Sequence, residues 1–162
     1  MTDPAALPNF PPPPDEHPLR GRVLDVLLDL GFAPDIDADG DVLFHVNEQQ
    51  LFVRCTEGTP TLMRTFGQWQ LPPELAEDVL TQMRTCNEVN LSMNLVKTGI
   101  ANGTLVVTVD QMVLPNADVR ALVEVSVQAI LSAVQFWHQR ALGIDPTDPS
   151  AGPAGDGSGA GS

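Results

Sequence analysis

The sequence predicts an α+β fold, an antiparallel sheet flanked by helices in the order α-β-β-β(-β)-α-β-β-α. Three observations carry this. Residues Thr104 to Trp137 read as a hydrophobic strand, a polar break at Pro115-Asn116, and the longest apolar-patterned helix in the chain. A helix that directly follows its strand folds back most economically onto that strand's own sheet. Asn102-Gly103, set between two strand-like runs, is a strong hairpin signal, and Val42, Phe44 and Val46 alternate as a half-buried strand does.

The chain of 162 residues suffices for one ordinary domain, and its 43% hydrophobic content predicts a core. The two ends dilute that figure. Residues 1–18 hold seven of the fifteen prolines, including Pro11 to Pro14, and residues 143–162 are mostly Gly, Ala, Ser, Pro and Asp. Neither end has the apolar surface to offset the entropy of ordering it, so both are expected to be disordered. The foldable part is residues 19–142.

The net charge of −13 excludes several partners. All eight basic residues lie in the folded part, scattered singly, and Lys97 is the sole lysine. A phosphate backbone or an anionic membrane calls for a clustered cationic face, so neither nucleic acid nor membrane is an expected partner. There is no run of eighteen apolar residues to cross a bilayer. The N-terminus lacks the cationic start and apolar region of a secretory signal, which makes the expected compartment cytoplasmic. Cys55 and Cys86 are too few for a zinc site and read as free thiols.

In order, the Pro-rich head contains Pro8-Asn-Phe-Pro11, a PxxP spacing without flanking basic residues, and reads as a spacer. Leu19, Val23, Val26, Leu27 and Leu30 fall on one face of a first helix, with Pro18 suiting its first turn and Gly31 as a left-handed stop. Val42 to Val46 and Leu51 to Cys55 pair as strands around Asn47 to Gln50, with Val42, Phe44, Val46, Leu51, Val53 and Cys55 on one face. A further strand spans Thr61 to Trp69, where broken alternation predicts a bulge or a two-sided environment.

Pro72-Pro73 open a second helix, Glu74 to about Asn87, with a buried stripe of Leu75, Val79, Met83 and Cys86. Glu74, Glu77 and Asp78 load its N-terminal turn. Asn87-Glu-Val-Asn90 is a polar exit. Leu91 to Ile100 and Thr104 to Met112 form the hairpin, with Val96 opposite Val109 and Ile100 opposite Leu105. Asn116 caps the last helix, with Asp118 in its first turn. Val119, Leu122, Val123, Val127, Ile130, Leu131, Val134 and Trp137 form that helix's core stripe.

Few groups suggest chemistry. Asp35-Ile-Asp-Ala-Asp-Gly-Asp41 matches the first half of a calcium loop, offering Asp35, Asp37, Asp39 and Asp41 as ligands. The twelfth position, which should be a bidentate Glu, is Val46, and a strand follows instead of a helix. A hairpin turn explains the stretch better. His45 and Cys55 fall on opposite faces of the sheet, which separates them as a nucleophile–base pair. Phosphate-loop, GxSxG and HExxH motifs are absent, and no catalytic residue, cofactor or enzymatic activity is expected. Val125, Ala129 and Phe136 widen the apolar arc of the last helix beyond one sheet face. Either the second helix covers this arc, the preferred explanation, or the arc is a contact surface for a partner or second subunit, which makes these three the candidate protein-contact residues.

The element order, with Cys86-Asn-Glu-Val-Asn90, the Asn102-Gly103 hairpin and Phe136-Trp137, resembles the YbjN domain family, over residues 19–142. Leu91-Ser-Met-Asn94 stands where members often carry a basic or aromatic residue. The resemblance implies a fold shared with the chaperones of bacterial type III secretion, and a bacterial regulatory domain without established enzymatic activity. Those chaperones act as dimers and hold extended partner segments. A non-catalytic protein-interaction module, homodimeric and with regulatory or chaperone-like duties, is therefore the expected function. A calcium- or ligand-responsive domain is the alternative.

Overall fold

A computed structural model of the chain describes residues 18–144. Most of the predicted head and tail lies outside them. The elements run α1 (Leu19–Asp29), β1 (Asp35–Ile36), β2 (Val42–Val46), β3 (Gln49–Thr56), β4 (Leu62–Gln70), α2 (Val79–Ser92), β5 (Val96–Ala101), β6 (Thr104–Met112) and α3 (Val119–Ala141), with a 3₁₀ turn at Pro73–Leu75. All strand pairs are antiparallel, in the spatial order β1-β2-β3-β4-β6-β5. This is the predicted α+β class in the predicted order.

Pleat and register place the core. Val42 pairs with Val53, Val53 with Thr65, Thr65 with Val109, and Val109 with Val96, so one row of small side chains crosses five strands. These residues are buried, as are Phe44, Leu51, Met63, Leu105 and Val107 on the same face. All three helices cover that face. α3 lies over β4, β5 and β6, with α1 and α2 on either side of it. Trp137 is the largest fully buried side chain. α3 is apolar and long enough to cross a membrane, yet here Val123, Ile130 and Trp137 are fully buried in the core.

The turns follow local chemistry. The β2–β3 connection needs no glycine, because Asn47 and Glu48 both take left-handed φ values of 48° and 65°. That suits a two-residue hairpin turn. Asn102 (φ 51°) and Gly103 (φ 73°) do the same between β5 and β6, and Val96 faces Val109 and Ile100 faces Leu105 as expected.

Of the two readings of β4, the two-sided environment holds and the bulge does not, since its ladder to β6 runs unbroken from Leu62–Met112 to Gln70–Thr104. Its alternation is broken because Phe66 faces the open side and stacks on Phe52, with ring centroids 5.1 Å apart. Other details differ from the expectation. Pro18 occupies the N-cap position of α1 rather than its first turn. Asp118, not Asn116, caps α3, accepting the Ala121 N–H at 3.1 Å.

The largest correction concerns α2. Asp78 caps it by accepting the Thr81 N–H, so the helix begins at Val79 and extends to Ser92, taking in Asn87 to Asn90. Leu75 belongs to the 3₁₀ turn, and no acidic residue lies in the first turn of α2. The buried positions are Gln82, Thr85, Cys86 and Val89, whereas Val79 and Met83 are exposed. Gln82 earns its burial with hydrogen bonds from Nε2 to the Leu75 and Ala76 carbonyls, at 2.5 and 3.3 Å.

Candidate functional site

The Asp-rich segment is a hairpin turn between β1 and β2. Asp37 Oδ1 accepts the N–H groups of Asp39 and Asp41, both at 2.9 Å, and Gly40 supplies the positive φ of 84°. Asp37, Asp39 and Asp41 bring carboxylate oxygens within 4.8 Å of one another. Asp35 is not part of that group; its Oδ1 accepts the Ile36 N–H. Asp41 is already engaged, since Arg54 donates to its two oxygens at 2.9 and 2.6 Å. That pairing raises the Arg54 pKa, and the guanidinium also lies over the Phe66 ring.

On the same uncovered face, Arg64 donates to Asp110 Oδ1 at 2.5 Å and Lys97 donates to Asp110 Oδ2. Asp41, Arg54, Arg64, Asp110 and Lys97 thus form a charge ladder across the sheet. It leaves each carboxylate with a cation and gathers no cluster of free cations.

The groups that could do chemistry are dispersed. His45 is exposed on the open face, opposite Gln50, while Cys55 pairs with Met63 across the sheet. Burial, then Glu57, pushes the Cys55 thiol up to about 11, away from the reactive range. Cys86 is buried and accepts a hydrogen bond from Trp137 Nε1 at 3.3 Å, and His138 bonds the Val134 carbonyl. A cleft of about 570 Å³ lies between the start of α1 and the loop before α3. Its charged groups serve the main chain: Glu57 accepts the Leu19 N–H at 2.7 Å, and Arg22 donates to the Ala117 carbonyl at 3.0 Å.

The candidate contact residues on α3 separate. Val125 is exposed, while Ala129 and Phe136 are partly buried against the core. Arg140 lies over the Phe136 ring, 5.4 Å from its centroid, and pairs with Glu88 of α2. The arc of α3 is therefore covered largely by its own neighbours.

Apolar side chains are also exposed along the outer flank of α2 and at its exit. Val79 (58% exposed), Leu80 (60%), Met83 (48%), Leu91 (80%) and Leu95 (55%) all face outward. Leu95 also adopts a left-handed φ of 71°, strained for a leucine. Periodicity missed this surface by assigning Val79 and Met83 to the core. One signal could have found it. Leu80, Met83, Asn87 and Leu91 are spaced as a second helical face, and residues 79–97 contain a single carboxylate, Glu88, in a strongly acidic chain.

The described residues form an antiparallel α+β domain whose helices cover one sheet face and leave the other open. Residues 20–137 match the YbjN family, described as "Putative bacterial sensory transduction regulator", and the chain belongs to that family. A crystal structure of YbjN from E. coli, described as a putative transcription regulator, superposes with a TM-score of 0.57 at 14% identity, covering 76% of this chain and 92% of the other. That likeness concerns the fold alone. No curated protein matches.

Proposed function

We propose that the protein is a non-catalytic protein-interaction module of the bacterial regulatory kind, and that it binds through the outer flank of α2. One observation carries this reading: four large apolar side chains of α2, Val79, Leu80, Met83 and Leu91, are exposed by about half or more, and Leu95, just past the helix end, is exposed as well. Single exposed leucines are ordinary, but a cluster rimmed by polar residues marks a contact site. The α3 residues Val125, Ala129 and Phe136 are a lesser candidate, since two of the three already pack on the core. The low density of carboxylates on the flank suits partners that the acidic remainder would repel. Chaperone-like holding of a partner segment fits the same surface.

The test is site-specific photo-crosslinking in bacterial cells, with the crosslinker at Met83, Val125 or His45. Discrete protein adducts from Met83, abolished by Leu91→Asp, are expected. Adducts formed equally from all three positions, or only from Val125, would contradict the assignment.

A second reading is a calcium-responsive turn, supported by the convergence of Asp37, Asp39 and Asp41. Its weakness is that Arg54 occupies both oxygens of Asp41. A melting temperature unmoved by millimolar calcium would remove it.

A further inference from the structure

We infer that the recess between the β2–β3 turn and the last turns of α3 binds a small neutral heterocycle carrying an amide, of the pyrimidine-base kind. The recess holds about 460 Å³. Asn47 and Gln49 line it from the hairpin, Leu131, Val134 and His138 from α3, and Ile144 from the chain past the helix end. No residue of α2 lines it, so the site is separate from the α2 flank and either reading can fail alone.

Two polar groups on its walls are fixed in sense by their other partners. The Trp69 indole N–H can only donate, and it donates to Gln49 Oε1 at 2.9 Å. That bond orients the carboxamide, and the NH2 is the end left for the recess. His138 Nδ1 lies 2.8 Å from the Val134 carbonyl, which can only accept. The neutral ring therefore carries its proton on Nδ1 and offers Nε2 as an acceptor. One wall supplies a donor on β3, the other an acceptor on α3.

The rest of the lining selects against charge. Gln135 and Gln139 complete it, and among the described residues no carboxylate, ammonium or guanidinium faces the recess. An anion would meet the bare Nε2 in a chain of net charge −13. A cation would meet the Gln49 NH2 with no carboxylate to receive it. A neutral ligand with both an acceptor and a donor satisfies the pair. The carbonyls at the end of α3 do not compete for it. Those of His138, Arg140 and Gln139 already accept the N–H groups of Leu142, Gly143 and Ile144.

Size and floor narrow the class further. Leu131, Val134 and Ile144 provide apolar surface, and a few directed polar groups over such surface are the usual make-up of a small-molecule site. The volume falls toward the small end of the roughly 300–1,000 Å³ of ligand pockets, which suits a single ring system. Uracil alternates C=O and N–H around a flat ring, so it presents the required pair at adjacent or separated positions. Bound there, it would join β3 to the end of α3.

The experiment is an NMR titration of the isotope-labelled full chain with uracil and, in parallel, with its analogue methylated on both ring nitrogens. The analogue keeps both carbonyls and both ring faces but has no N–H. Uracil should give saturable shifts of the Trp69 indole N–H, the Gln49 side-chain amide and the His138 ring at millimolar concentration. The dimethyl analogue should bind about tenfold more weakly or worse, because Nε2 of His138 is then left without a donor.

Gln49→Glu keeps an oxygen for the Trp69 indole and loses the NH2, while His138→Phe keeps an aromatic ring and loses Nε2. Each should weaken uracil binding by about tenfold or more. Spectra of the free variants report whether they fold, and the comparison of the two ligands on wild type stands without them. Absence of a saturable shift on wild type would overturn the inference. Equal binding of the two ligands would overturn it too, by reducing the site to apolar packing. Saturable shifts on the α2 flank that neither variant alters would overturn the placement.

Discussion

Asn90 holds Thr98 by both of its main-chain groups: Asn90 Oδ1 accepts the Thr98 N–H at 2.7 Å, and Asn90 Nδ2 donates to the Thr98 carbonyl at 3.2 Å. A side-chain amide here plays the part of a neighbouring strand. The Thr98 hydroxyl adds a bond to the Cys86 carbonyl at 3.2 Å, and Cys86 in turn receives the Trp137 indole. Residues that mark the family resemblance, Cys86, Asn90 and Trp137, thus join α2 to β5 and α3.

Removing the carboxamide should expose the edge strand. Asn90→Ala is expected to lower the unfolding free energy by about 1–3 kcal/mol, because two main-chain groups lose their partner. Asn90→Asp keeps the acceptor and loses the donor, and should fall between. Urea denaturation measures both, and a wild-type midpoint for Asn90→Ala would deny the clamp any part in stability.

Gly67 marks a close approach inside the sheet. A Cβ there would stand 2.5 Å from Cη2 of Trp69 and 3.0 Å from Cδ2 of Leu51. The indole would have to swing outward and give up its bond from Nε1 to Gln49 Oε1, now 2.9 Å. Gly67→Ala should cost about 1–3 kcal/mol and change the near-ultraviolet dichroism of the indole. An unaltered spectrum and midpoint would show that the ring is not confined.

The fold was legible wherever one physical signal dominated. The Asn102-Gly103 turn fixed the β5–β6 register to the residue, and the alternation of Val42 to Val46 placed β2. α2 defeated the same reasoning because its buried face is partly polar. Gln82 and Thr85 reach main-chain carbonyls, and such partners leave no trace in periodicity. Counting apolar residues put Val79 and Met83 inside, which hid the exposed apolar flank of α2. The left-handed Leu95 is equally silent in sequence, since nothing local announces a leucine in that conformation. The Asp37–Asp41 turn was legible as a turn, yet its pairing with Arg54 depends on β2–β3 register.

The charge ladder predicts an acid dependence. Arg64, then Lys97, hold the Asp110 carboxyl below its ordinary value of 3.8. A depressed carboxylate contributes stability above its unfolded pKa and loses it as pH falls through the lower folded value. Asp110→Asn should therefore be less stable than wild type at pH 7, with the difference closing below about pH 4. Arg64 and Lys97 are about half exposed or more, so solvent screening holds the effect to about 1 kcal/mol or less, shrinking in high salt. Parallel stability curves for the two proteins from pH 7 to pH 2 would contradict the assignment.

Val125 and Phe136 were paired by sequence as one contact surface, and their surroundings predict opposite behaviour. Val125 is 47% exposed and stands apart from the core cluster, so Val125→Asp should leave the melting temperature within about 2 °C of wild type. Phe136 packs on the core beneath Arg140, whose guanidinium bridges to Glu88 on α2. Phe136→Asp removes the ring, places a carboxylate against apolar neighbours, and offers Arg140 a competing partner. A loss of about 2–4 kcal/mol is expected, read as a lowered urea midpoint. Phe136→Leu keeps the apolar packing but not the cation–π contact, and should lose about 1 kcal/mol. If Phe136→Asp is instead as stable as Val125→Asp, Phe136 does not secure α3 to the core and returns as a candidate for partner contact.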